Sequence, residues 1–240
     1  SNLKPYYPII TCKLIDLHQQ KIIDELDCNY SLLSNDNGFM GTWGQRTLVT
    51  LMGEQSELEV GKFAQIKKPV LNLISMLSLL GTSLLEYNIS DYSQELEEGE
   101  TGVIATKTGD ADDQIAVIIY NSRDKIMSSD QKNIQLNIKE IPFKEAMMVH
   151  YRIDENQGYP YKIWEDELVH EKPSEHQLEA LRKQQELTMM NKSQIDISSG
   201  SCTMSFNLPL PGLNLILISK KSGDKPQQVT GLSARCYRGL

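Results

Sequence analysis

An α+β chain is predicted, with the helix–strand–helix end of an α/β domain followed by an antiparallel β-sandwich. Three observations predict it. Apolar residues recur three and four apart from Tyr6 to about Leu26. After about residue 83, short apolar runs are separated by turns rich in Gly, Asp, Asn and Ser. Finally, a strictly alternating run over residues 202–210 precedes a fully apolar one, as expected where one strand is half wet and the next is buried on both faces.

The first helix is expected from Tyr6 to about Leu26, with Tyr7, Ile10, Leu14 and Leu17 on one face. Tyr30-Ser31-Leu32-Leu33 reads as a brief strand running into the polar turn cluster Ser34-Asn35-Asp36-Asn37-Gly38. Pro69 opens the next helix, because its missing N–H would have had no partner in a first turn. The run from Val70 to Leu80 is too short to span a bilayer, which takes about 18 apolar residues, and it ends at Gly81; a helix buried between a sheet and another layer is predicted. Strands are expected at Val103–Ala105, at Ile115–Tyr120, at the alternating Ile134, Leu136 and Ile138, and at Met147–Tyr151. Ser174 with Gln177 three residues on is a capping-box pair that starts one intervening helix. The alternating strand from Cys202 to Leu210 and the buried strand Leu213–Ile218 follow. Two helices and one strand cannot close a parallel sheet, so the first segment reads as a piece of a larger domain. The predicted division is residues 1–82, residues 83–222 for the sandwich, and 223–240 for a linker and the start of a third unit.

Composition narrows the function classes. The 240 residues carry Lys+Arg 24 against Asp+Glu 32, a net charge of −8, with 40% hydrophobic and 23% charged residues. That is globular, and the only short basic runs are Lys67-Lys68 and Lys220-Lys221, so the clustered cations a nucleic-acid interface needs are missing. Neither a nucleic acid nor a membrane is expected as a partner. The cysteines at 12, 28, 202 and 236 form no C-x-x-C pair, and no motif calls for a metal or other cofactor, so none is expected. Buried thiols are the simplest reading; a Cys12–Cys28 bridge and a Cys202–Cys236 bridge both stay open for a secreted chain.

The stretch from Leu32 to Phe39, with Trp43-Gly44-Gln45-Arg46 downstream, is the most informative. Polar groups at a strand's C-terminal end line the mouth of an α/β barrel, where ligands bind. A carboxylate at Asp36 accepts hydrogen bonds from sugar hydroxyls, and the Arg46 fork can hold an anionic substrate group at two points. Asn, Asp and Gly clusters also simply make turns, which is the competing reading of Asp36 and Asn37. The acidic run Glu95, Glu97, Glu98 and Glu100 reads as a solvated loop, because a glycosidase pair needs carboxyl groups across a cleft. Tyr159, Tyr161 and Trp164 read as a hairpin packing cluster, with a sugar-stacking platform as the alternative. His170 and His176 read as surface residues. N-x-[ST] sequons at Asn29, Asn88 and Asn191 are candidate glycosylation sites and point weakly to secretion.

Leu32-Leu33-Ser34-Asn35-Asp36-Asn37, Gln45-Arg46-Thr47-Leu48 and Lys68-Pro69-Val70-Leu71 closely resemble the end of the catalytic barrel in the animal alpha-L-iduronidase family. The likeness continues through Gly102–Ala105, Ala116–Tyr120, Tyr151–Asp154, the helix from Glu175, Leu208–Pro211 and Lys225–Thr230, so it covers nearly the whole chain. The resemblance implies the end of a (β/α)8 barrel plus the β-sandwich of a lysosomal retaining glycosidase. Such an enzyme removes terminal L-iduronic acid from dermatan sulfate and heparan sulfate. It implies that Asp36 and Arg46, with Asn37 as a weaker third, reach the bound uronic sugar. Both catalytic glutamates of that family lie on barrel strands upstream of the segment where this sequence starts, and no Glu here matches their motifs. The rest of the barrel is then the expected partner, and no catalytic residue is assigned to this chain. The sequence departs from the family pattern after about Val229, where only the first residues of an immunoglobulin-like third domain remain, and near Ser219, where a family cysteine is replaced. The competing class is a non-catalytic carbohydrate-binding or interaction module that has kept the sandwich.

Overall fold

The computed structural model describes residues 6–28, 48–52, 64–90, 101–108, 113–122, 131–166, 173–197 and 199–221. Helix α1 (Tyr6–Leu17) continues as a wider π-type segment, His18–Glu25. Strands β1 (Val49–Met52) and β2 (Ala64–Lys67) form an antiparallel pair, and α2 (Pro69–Leu77) follows directly, with Pro69 in its first turn as predicted. The strands β3 (Ser83–Leu84), β4 (Thr101–Lys107), β5 (Gln114–Asn121), β6 (Gln131–Ile138) and β7 (Glu145–Ile153) come next. Two helices, α3 (Tyr161–Asp166) and α4 (Glu175–Gln184), interrupt them before β8 (Thr188–Asp196), β9 (Cys202–Pro209) and β10 (Gly212–Lys220).

Six strands form one antiparallel sheet in the order β3-β4-β5-β10-β7-β8, while β6 and β9 pair separately. Their side chains explain the layering. In the central strands β5 and β10 nearly every residue is buried, because both sheet faces are covered. One face packs Ala116, Ile118, Leu213 and Leu215 against Ile9 and Cys12 of α1 and Leu73 and Met76 of α2. The other packs Val117, Ile119, Ile216 and Ile218 against Ile134 and Leu136 of β6 and Met204 and Phe206 of β9. The β6–β9 pair is covered on one side only, and its residues alternate in exposure as the sequence predicts.

The α1 face expected to be buried is a correction. Ile9, Cys12 and Asp16 face the sheet, whereas Leu14 is 57% exposed and Leu17 38%. The helix is apolar on two sides, and periodicity alone chose the outer one. Asp16 is buried because the Tyr120 hydroxyl donates to it at 2.7 Å and Gln20 Nε2 at 2.8 Å. The Tyr120 ring lies over Gly102, where any Cβ would coincide with the phenol end of the ring. The Cys12 thiol, sealed beneath the helix, has its pKa raised by burial and by Asp16. Cys12, Cys28 and Cys202 are all free thiols, and Cys236 lies outside the described residues.

The capping box at Ser174 is present in both directions. Strands β1, β2, β3 and β8 and helix α3 were not expected. The first two are four residues each, and β8, at the sheet edge, exposes much of its length and so lacks an apolar signature.

Candidate functional site

Asp36, Asn37 and Arg46 lie outside the described residues, as does the sequon at Asn29 and the strand expected at Tyr30–Leu33. The structure describes what surrounds the continuation of that segment. Leu48, two residues past Arg46, has its carbonyl bonded to the Lys68 N–H at 2.9 Å, which ties the entry of β1 to the head of α2. Lys68 itself is fully buried.

A second layer grips this junction from the insertion between β7 and β8. Ile66 of β2 packs with Tyr159, Tyr161 and Leu181. The two tyrosine rings lie 6.5 Å apart and tilted at 43°, and they pack where helix α3 starts, in place of the hairpin expected there. Gln185, the residue that caps the C-terminus of α4, makes three polar contacts. Its N–H donates to Leu181 O at 3.0 Å, its carbonyl accepts from Asn72 Nδ2 at 3.0 Å, and its side-chain Oε1 accepts from the Lys67 N–H at 3.0 Å. Asn72 Nδ2 also lies 3.4 Å from Gly158 O, in a turn where Gly158 has φ +64°. Lys67 Nζ pairs with Glu186 at 2.6 Å on the surface. Neither Asn72 nor Gln185 was singled out by sequence; the only signal was one Asn on the buried side of an otherwise apolar helix.

Another polar cluster lies between the two sheets. Asn214 Oδ1 accepts from Arg152 Nε at 2.9 Å, so the same oxygen must accept from His150 Nε2, 2.6 Å away, which places a proton on that nitrogen. The Arg152 fork also donates to Asn207 O at 2.6 Å. Asn214 Nδ2 is buried without a partner among the described residues. Burial lowers the His150 pKa from 6.5, the Asn214 bond opposes that shift, and Arg152 adds to it. A depressed histidine contributes stability that is present above pH 6.5 and lost as pH falls through the folded-state value. Burial raises the Asp154 pKa, so that group acts in the opposite sense, favouring the fold below pH 3.8 and losing that contribution as pH rises. His150 therefore weakens the fold as pH falls from 7.5 to 5, and His150→Gln, which keeps a donor to Asn214, should remove that loss, so that denaturant unfolding shows the variant losing less stability than wild type between those two values. An unchanged pH dependence in the variant would refute the assignment to His150. The cluster carries no carboxylate pair, and it is best explained as an internal strut joining β7, β9 and β10.

A broad concavity lies elsewhere, over β4 and β5 beside β6, lined in part by Val103, Val117 and Ile119. Of the residues nominated by sequence it includes only Asn88, whose side of the rim is exposed. Asn191 is exposed on the edge strand β8, and His176 is exposed on α4.

The described residues thus build an antiparallel sheet with helices packed on one face and the β6–β9 pair on the other. Residues 5–197 match the glycosyl hydrolases family 39, and the chain belongs to that family. Among solved structures, the bacterial orthologue of human α-L-iduronidase superimposes with a TM-score of 0.78 at 26% identity, covering 93% of this chain and 39% of that one. The family 39 enzyme from Xanthomonas axonopodis pv. citri matches at 10% identity (TM-score 0.53) and a monomeric β-xylosidase from Caulobacter crescentus CB15 at 15% (TM-score 0.52), each over 65% of this chain and 31% of its own; these two speak to fold alone. The chain thus spans about two fifths or less of the solved enzymes it matches. No curated protein matches it.

Proposed function

We propose that this chain is the C-terminal barrel segment and sandwich of a retaining glycosidase that hydrolyses terminal L-iduronic acid from dermatan sulfate and heparan sulfate. Residues 1–82 complete the barrel, residues 83–222 form the sandwich packed on it, and 223–240 lead to a third domain. The observation that carries the proposal is coverage: the iduronidase orthologue aligns over 93% of the chain, against 65% for the xylosidase. The blocks around Asp36, Arg46 and Lys68-Pro69 support it independently.

A retaining glycosidase uses one carboxylic acid to protonate the leaving oxygen and a second carboxylate, about 5 Å away, as nucleophile. In this proposal both come from polypeptide outside this chain. Asp36, Asn37 and Arg46 hold the uronic sugar: Asp36 and Asn37 take its hydroxyls and Arg46 its carboxylate, so that the anomeric carbon faces the nucleophile. The parent would be lysosomal and reach that compartment through the ER, with Asn29, Asn88 and Asn191 as acceptors for N-glycans. An acidic compartment suits a chain of net charge −8, because protonating carboxylates and histidines lessens its repulsion of a polyanionic substrate.

Competition between two fluorogenic substrates tests the assignment. The complete polypeptide should hydrolyse an α-L-iduronide with a kcat/KM at least about 100-fold above that for a β-D-xyloside, the discrimination expected when a built anion site loses its partner. Preference for the xyloside would place the protein with the xylosidases of the family instead.

A further inference from the structure

We propose that Asn191 carries an N-glycan that guards the outer edge of the sandwich against pairing with a second copy of this chain. The proposal rests on the route through the ER given above; it adds the choice among the three sequons and what the glycan does there. Strand β8 is the last strand of its sheet, and on it Met189 and Met190 are 51% and 40% exposed. Such an edge offers unpaired N–H and C=O groups to any other strand. Two devices already blunt it. Met190 is the extra residue of a bulge between the Tyr151–Met189 and His150–Asn191 pairs, and Lys192 puts a charge on the strand. That charge is a weak guard against self-pairing. When two copies pair antiparallel about Gln194, Lys192 of one stands opposite Asp196 of the other, an attractive contact.

The sequon Asn191-Lys192-Ser193 lies on this strand. Asn191 is exposed, and no hydrogen bond among the described residues engages its side-chain amide. Its register partner is His150, whose ring lies 5.0 Å from that of Phe206 on β9. Cross-strand partners share a face, so Asn191 stands on the side of the sheet that carries the β6–β9 pair. Within that pair β6 lies toward β4 and β5, and the other edge of β9, unpaired among the described residues, looks toward β8. A glycan rooted at Asn191 therefore covers both edges at once. Asn88, at the rim of the concavity over β4 and β5, is on the opposite side of the sandwich and covers neither. The donor is a lipid-linked oligosaccharide diphosphate. Asn191 Nδ2 bonds to its anomeric carbon, the bond from that carbon to the diphosphate oxygen breaks with its electron pair going to the leaving lipid diphosphate, and one amide proton is released.

The complete polypeptide, made in cells that glycosylate secreted proteins, should show a glycan at Asn191 by peptide mass spectrometry and sediment as one species as its concentration is raised. Asn191→Gln and Ser193→Ala each remove the sequon and should shift the weight-average mass upward with concentration, whereas Ser193→Thr keeps the sequon and should behave as wild type. Adding Gln194→Lys to Asn191→Gln sets like charges opposite each other at the pairing axis and should restore the single species. An unmodified Asn191 beside a glycan at Asn29 or Asn88 would overturn the proposal and leave the assigned function standing. So would a single species for Asn191→Gln, or association that Gln194→Lys does not relieve. Absence of glycan from all three sequons would overturn the ER route and this proposal together.

Discussion

Replacing Arg46 by Ala in the complete polypeptide should lower kcat/KM for an α-L-iduronide by about 100-fold, the largest functional effect expected of any residue in this chain. The reasoning starts from charge. A uronic carboxylate has a pKa near that of Asp or Glu and stays largely ionised at the pH of an acidic organelle. A guanidinium meets it with two parallel N–H donors, a charge-assisted contact that a neutral side chain cannot reproduce. Removing one partner of such a pair typically costs 2–5 kcal/mol, much of it the penalty of leaving the other charge unpaired, so about 100-fold is a moderate expectation. Arg46→Lys should recover only part of the loss, because an ammonium offers a point charge and no fork. The control is a glycoside without the carboxylate: Arg46→Ala should leave its slow turnover unchanged. Wild-type kinetics toward the iduronide would remove Arg46 from the site.

A large effect on stability is expected at Gly102. A Cβ at that position would occupy the space of the Tyr120 ring end, and Tyr120 cannot easily give way. The ring is 3% exposed, packed beneath α1 with Ile9 and Cys12, and its hydroxyl is bonded to the buried Asp16. Burial and the Asp16 bond hold the phenol well above its usual pKa, so it donates as a neutral group at every pH the protein meets. Gly102→Ala must therefore move the ring, break the Tyr120–Asp16 bond, or open the α1–sheet contact. About 3 kcal/mol of destabilisation is expected, as for an overpacked core with a lost buried hydrogen bond. Thermal unfolding should register roughly a 10 °C fall in Tm. Combining Gly102→Ala with Tyr120→Ala should cost less than the sum of the single changes. Strict additivity would show that the ring and the glycine do not meet.

How much of this was legible in advance depends on the range of the forces involved. Strands β4, β5, β9 and β10, the Pro69 helix start and the Ser174–Gln177 box are written in neighbouring residues, and sequence patterning found them. The face of α1 was misread because Leu14 and Leu17 have the right spacing, while the residue that anchors the true inner face is an acid, Asp16, which no apolar pattern selects. β8 escaped because an edge strand is stabilised by its pairing with β7 and shows no dry face. Gln185 and Asn72 were invisible for a different reason. Their partners lie 118 and 113 positions apart, and only the folded chain brings them together. Asp36 and Arg46 were nominated by their polar strand end, where a plain turn was the stronger competing reading, and resemblance added Asn37 and the sugar-binding role.

The claim at the centre is that this chain brings the groups that position a uronic sugar, while the acid and the nucleophile lie in the rest of the barrel. One fluorogenic α-L-iduronide assay, run in parallel on the purified 240-residue chain and on the complete polypeptide at acidic pH, tests it most directly. Turnover by the complete polypeptide and none by the chain alone is the expected result. Turnover by the isolated chain, or its absence in both, would contradict it.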